Sequence, residues 1–192
     1  MVMDELSAGI GRNIGVLGPI CQLAFSPPDF NQSLEFWTRI MKAGPFFIWH
    51  SVPVNRFIYN HNEITLDYTI AIGYLGDIQI EIMRQNDAVP SIFNGWNSSA
   101  LHHIQLAAPD YDLAIAECER AGAPLVMEGH GAFGVEGTRF GYCRLPEGSP
   151  AGYVEFMHHP SGQDQHLTRR ERMKAHSRGW DGSRPIRAPS EI

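Results

Sequence analysis

Cysteine is scarce and badly placed for chemistry: Cys21, Cys118 and Cys143 are the chain's three cysteines, odd in number, far apart, and without a CxxC pair. That excludes a zinc knuckle, a thioredoxin-type redox motif and a disulfide-stapled secreted fold, and it reads as thiols kept reduced. Positive charge is also short. Fifteen Lys and Arg stand against 21 Asp and Glu, for a net charge of −6, so the chain lacks the basic field that non-specific nucleic-acid binding requires. No run approaches the ~20 apolar residues of a membrane span, and the first residues lack a basic stretch followed by an apolar one. A cytoplasmic protein acting on a small molecule, without nucleic-acid or membrane partners, is the expectation. With 43% hydrophobic and 19% charged residues in 192, there is apolar surface for a sizeable core.

What the chain does have is an internal repeat. Gln22-Leu-Ala-Phe-Ser-Pro-Pro-Asp29-Phe30 aligns without a gap on His103-Ile-Gln-Leu-Ala-Ala-Pro-Asp110-Tyr111. Ile80-Glu81-Ile82-Met83 aligns on Val154-Glu155-Phe156-Met157. Asp29 and Asp110 are placed to cap helices, and Phe30, Leu34, Trp37 and Met41 recur at helical spacing. Gly44 and Gly122 stand where a left-handed C-cap is wanted. Strands are predicted over 46–52, 65–74 and 77–83 in the first copy, and over 124–128, 138–145 and 152–158 in the second. The expected organisation is an extension (1–17), module one (18–86), a linker (87–100), module two (101–160) and a basic tail (161–192). Within the tail, Arg169, Arg170, Arg172 and Lys174 lie in a polar stretch, 163–176, read as a solvated helix with a loose end. The sharper reading is that it packs on a partner subunit or attracts an anionic substrate.

The repeat puts one potential ligand on each first strand, Gln22 and His103, and one carboxylate on each last strand, Glu81 and Glu155. Residues two apart on a strand share a face, so each carboxylate points opposite its large apolar neighbours. A pseudo-twofold would bring all four side chains from two sheets to one spot, and buried carboxylates are costly unless paired or metal-bound. His102 is expected to face away from His103, and His158 and His159 to form a surface pair. His61 lies in a polar loop, and Asp67 is a further candidate base on a central strand. Phe46, Phe47, Trp49, Phe57, Tyr59, Tyr68, Phe93 and Trp96 read as core, with room for an apolar ligand among them. The stretch from Gly129 to Gly134 fits GxGxxG, but a strand follows where a dinucleotide fold needs a helix. Gly9 and Gly11 lack the preceding strand that motif requires.

The segments ICQLAFSPPDF, IQIEIMRQ, LHHIQLAAPD and GYVEFM, in this order and spacing, resemble the vicinal oxygen chelate superfamily over residues 18–160. That superfamily includes glyoxalase I, methylmalonyl-CoA epimerase, extradiol dioxygenases and bleomycin-resistance proteins. The resemblance implies an α+β fold of two paired βαβββ modules forming a cupped, mostly antiparallel sheet around a metal, in a homodimer. It puts Gln22, Glu81, His103 and Glu155 on the ligand positions of one divalent ion, with Zn²⁺ preferred and Mn²⁺, Co²⁺, Mg²⁺ or Fe²⁺ compatible. It implies a lyase, isomerase or epimerase acting through a chelated enediolate or enolate, with Glu155 as base and Glu81 as its mirror. In glyoxalase I, arginines engage the glutathione carboxylate where this chain has Ser26 and Ser99, so a substrate other than a glutathione adduct is expected. Gln85 stands where that family has an Asn. A metal-free binding or resistance protein, a true glyoxalase I and an extradiol dioxygenase are the alternatives.

Overall fold

The computed structural model describes residues 15–96, 98, 100–160 and 165–192, without the side chains of 165–167. Gly9, Gly11, Ser99 and the start of the basic stretch lie outside the described residues. Module one runs β1 (Ile20–Phe25), α1 (Phe30–Glu35, continued by a π-helical turn, Phe36–Ile40), β2 (Phe46–Trp49), β3 (Arg56–Tyr59), β4 (Asn62–Ile64), β5 (Tyr68–Leu75) and β6 (Ile78–Gln85). Module two runs β7 (Leu101–Leu106), α2 (Tyr111–Arg120), β8 (Leu125–His130), β9 (Arg139–Arg144) and β10 (Ala151–His158). Then come α3 (Gln165–Ser177) and β11 (Ile186–Arg187).

The helix starts follow from their caps. The Asp29 carboxylate accepts from the Gln32 amide at 2.9 Å and that of Asp110 from the Leu113 amide at 3.0 Å. The end of α1 differs from expectation. Thr38 Oγ1 donates to the Leu34 carbonyl at 2.7 Å inside the π turn, and the extra residue moves Met41 off the buried face. The left-handed position falls on Lys42 (φ 57°), so Gly44 (φ 137°) stands beyond the cap.

The two modules join in one cupped, mostly antiparallel sheet, as expected; it has eleven strands, in the order β11-β2-β5-β6-β1-β7-β10-β9-β8-β3-β4. It is antiparallel except where β1 meets β6, β7 meets β10 and β2 meets β11. The pseudo-twofold runs between β1 and β7, so each module's first and last strands lie side by side at the centre. The β3–β4 hairpin, which the repeat did not announce, leaves module one and pairs with β8 of module two. α1 covers one side of the sheet with Phe46, Ala71, Ile80 and Ile82 beneath it, and α2 packs on Cys143, Val154 and Phe156. Phe46 thus belongs to the α1 side. The remaining aromatics of the sequence reading pack as a core with Phe140, Tyr142 and Met173 on the concave face.

The tail is neither solvated throughout nor loose. Met173 of α3 is buried in the concave core, Lys174 pairs with Asp77 at 2.7 Å, and β11 joins the edge of β2. Among the described residues no helix is long and apolar enough to cross a membrane.

Candidate metal and active site

Register explains how residues far apart in sequence meet. Across the four central strands, Gln79, Gln22, Gln105 and Glu155 stand opposite one another in one row. Glu81, Ala24, His103 and Tyr153 form the adjacent row, and residues two apart put both rows on one face. Ala24 separates Glu81 from His103, and its methyl group is small enough for the two side chains to meet over β1. Ile80 and Ile82 go to the α1 side and Val154 and Phe156 to the α2 side, so both carboxylates point into the cup.

All four predicted residues come together there, each buried. His103 Nε2 lies 3.2 Å from Glu155 Oε2 and 3.5 Å from Glu81 Oε2. Gln22 donates its amide to Gln79 Oε1 at 2.7 Å, and Gln79 donates to the Tyr74 hydroxyl at 2.8 Å. Gln105 donates to Glu155 Oε2 at 2.8 Å, and the Tyr142 hydroxyl hydrogen-bonds to Glu155. Burial, then the charge of Glu155, push the Glu81 carboxyl well above the ordinary carboxylate range, against the opposing pull of Arg170.

His102 does not face away. A register shift between Ala24 and Phe25 sets Leu101 and His103 opposite consecutive residues, so His102 is the extra residue of a β-bulge. Its Nδ1 lies 3.0 Å from His103 Nδ1, and its Nε2 lies 3.2 Å from the Ile92 carbonyl. Phe93 stacks on the His102 ring at 5.0 Å and Trp96 meets it edge-on at 4.9 Å. Burial, with His103 alongside, lowers its pKa to about 3, so the ring is neutral. A carbonyl can only accept, so His102 Nε2 carries the proton and Nδ1 the lone pair. His103 therefore donates from Nδ1, which in the neutral ring leaves the lone pair of Nε2 turned toward the two carboxylates.

The donor set fits a divalent cation on its own chemistry. Gln22 Oε1 and His103 Nε2, the two neutral donors, are buried without hydrogen-bond partners, and two carboxylates share the same dry space. A cation would satisfy all four. Three oxygens and one nitrogen suit a borderline or hard ion. Among the described residues no three His, Cys, Asp or Glu side chains stand so as to hold a metal ion on their own. Glu155 Oε2 is engaged by Gln105, and one donor of the set is an amide.

α3 roofs this site. A cavity of about 40 Å³ remains, lined by Gln22, Glu81 and Glu155 below and by Arg169, Arg170 and Met173 above. Arg170 donates to Gln105 Oε1 at 3.1 Å, which also receives the Cys21 thiol at 3.3 Å. Gln79, Gln105, Tyr142 and Arg170 were not singled out in the sequence. The signal for two of them was alternation, because Gln79-x-Glu81 and His103-x-Gln105 put polar residues on one face. Other candidates fall away from the site. Asp67 is an exposed loop residue before β5, bonded by Asn86 at 3.1 Å, and not on a central strand. His61 is exposed in the β3–β4 turn. His158 and His159 are half-buried rather than a surface pair, and burial lowers the His159 pKa to about 4. Gln85 is spent on its own loop, receiving Ser91 Oγ at 2.7 Å and donating to the Val89 carbonyl at 2.6 Å. Ser26 is buried. Cys118 and Cys143 are buried thiols, and Cys21 is half-buried.

Residues 21–142 match the family model described as the Glyoxalase/Bleomycin resistance protein/Dioxygenase superfamily. No curated protein matches the chain. Among solved structures, a hypothetical protein from Bacillus halodurans C-125 is 14% identical, with a TM-score of 0.49 over 74% of this chain and 95% of its own. Methylmalonyl-CoA epimerase from Streptomyces coelicolor, as a single-residue variant in complex with 2-nitronate-propionyl-CoA, is 15% identical, with a TM-score of 0.48 over 73% and 94%. The Mycobacterium tuberculosis epimerase is 13% identical, with a TM-score of 0.46 over 74% and 89%. None of these relations is close enough to transfer an activity. On the family match, which spans well over half of it, the chain belongs to the Glyoxalase/Bleomycin resistance protein/Dioxygenase superfamily.

Proposed function

We propose that this protein is a divalent-metal-dependent lyase, isomerase or epimerase that moves a proton at a carbon next to a carbonyl of a small, non-glutathione substrate. The observation that carries the reading is the pair of unsatisfied neutral donors, Gln22 Oε1 and His103 Nε2, set beside two buried carboxylates. Gln22, Glu81, His103 and Glu155 would hold the ion, with Zn²⁺ as first choice. When bound, it would supply positive charge to stabilise the negative charge that develops on a substrate oxygen as the neighbouring C–H is lost.

The chain's own residues do the rest. Glu155, oriented by Gln105 and Tyr142, accepts the proton from the substrate carbon. Glu81, beyond His103, is the second carboxylate able to return a proton, which an epimerase or isomerase needs. His102 fixes the His103 ring, and the concave core keeps bulk water away. Replacement of the glyoxalase arginine clamp by Ser26 and Ser99 supports a substrate other than a glutathione adduct. An extradiol dioxygenase would need a second histidine ligand, and His102 is committed to His103 and Ile92.

The competing reading, a metal-free binding protein of the same fold, draws on the small cavity and on the absence, among the described residues, of three His, Cys, Asp or Glu side chains that stand so as to hold a metal ion on their own. Elemental analysis of protein purified without added metal, with titration by Zn²⁺, Mn²⁺ and Co²⁺, separates the two. One ion per chain supports the enzyme; a protein that takes up none of the three sinks it. The resemblance also carries an expectation of a homodimer, which sedimentation equilibrium tests, a monomer being the contrary result.

A further inference from the structure

The roof of the site carries a feature that the four-donor reading does not use. Arg169 lines the cavity, its guanidinium lies over the Phe133 ring at 4.8 Å, and its Nη1 is buried without a hydrogen-bond partner. Phe133 itself has a left-handed backbone (φ 55°), unusual for an aromatic residue, and its ring packs edge-on to Trp49 at 5.3 Å. Arg170, by contrast, is spent on Gln105, Cys21 and Tyr74 and fastens α3 to the sheet. A buried guanidinium donor with no acceptor costs free energy unless a ligand supplies one. Charge points the same way. Once a divalent cation has displaced the shared proton, Glu81 and Glu155 only balance Arg169 and Arg170, so the cation leaves the enclosure positive, and a ligand bearing negative charge restores neutrality.

The geometry points to Arg169 as a specificity-determining residue that binds a carboxylate of the substrate, which makes the substrate class a small carboxylic acid carrying an adjacent carbonyl. This rests on the proposed function for the site beneath but is carried by α3, which lies beyond the residues matched by the family. A cavity of about 40 Å³ holds roughly one water, so such a ligand enters as the half-buried Arg169 side chain swings out and then closes on it.

The test compares pyruvate with pyruvamide, which has nearly the same shape and no charge, by calorimetric titration of metal-free and Zn²⁺-loaded protein. The wild type is expected to bind pyruvate more tightly, by about tenfold or more, as a charge-assisted contact in an enclosed site provides. Arg169→Met removes most of that preference without changing pyruvamide binding, and Arg169→Lys keeps part of it. Arg172→Met removes the same charge from the exposed face of α3 and leaves the preference intact. The inference is overturned if Arg169→Met retains the wild-type preference, if Arg172→Met loses as much, or if neither probe binds either form at millimolar concentration. Zn²⁺ titration of the same samples is scored separately. Wild-type protein that binds no Zn²⁺ contradicts the metal reading alone, while Arg169→Met is expected to bind Zn²⁺ as the wild type does.

Discussion

At Glu81, burial and the facing carboxylate of Glu155 favour the protonated acid in the folded chain, whereas the unfolded chain ionises at an ordinary carboxyl pKa. The sign for stability follows. The folded state binds more protons than the unfolded one as pH rises above the unfolded value of about 4.5, so this group makes metal-free protein less stable with rising pH until its folded pKa is passed. Thermal melts of metal-free protein should show that slope, and Glu81→Gln should flatten it and raise the Tm at neutral pH. An unchanged slope in the variant would contradict the account of the buried pair. His102 acts at the same scale through its neighbour. His102→Ala keeps all four donors but frees the His103 ring, and should weaken Zn²⁺ affinity by about 10–100-fold in a calorimetric titration. Full affinity in the variant would mean that the bulge plays no part in holding the ligand.

Among the elements, β1 and β7 bear most of the design. They carry Gln22 and His103, and they bring the two terminal strands, with Glu81 and Glu155, to within one strand of the pseudo-twofold. The repeat made this much legible, because two copies of one pattern place equivalent residues at equivalent points. Alternation made the faces legible too. The bulge at His102 and the roofing by α3 were not legible, because each is set by contacts with residues distant in sequence, and the π turn at Phe36–Ile40 was not, because one inserted residue leaves no mark on the apolar spacing before it. Ala24 tests the row geometry, since a larger side chain there intrudes between Glu81 and His103. Ala24→Val should cost about 1–3 kcal/mol by overpacking and reduce Zn²⁺ uptake although every donor is present. Wild-type uptake in a folded Ala24→Val protein would show that Glu81 and His103 need not meet over β1. For α3, Met173 is the anchor. Met173→Ala should raise amide exchange across 168–177 while the central strands stay protected, and uniform protection throughout would contradict its role in holding the roof.

For the whole molecule, the net charge of −6 counts carboxylates that do not meet solvent in the folded chain. Part of that negative charge is not surface charge, because Glu81 and Glu155 lie buried at the bottom of the cup. Ion binding must then displace a proton from the pair as well as add charge, so proton release should accompany it. The most direct measurement is Zn²⁺ titration by calorimetry, repeated in buffers of different ionisation enthalpy, on wild type, His103→Ala and Glu155→Gln. One ion per wild-type chain is expected, with release of protons near neutral pH and loss of binding by about 100-fold or more in each variant. Equal binding by all three proteins, or none by the wild type, would contradict the claim that these four residues are a metal site.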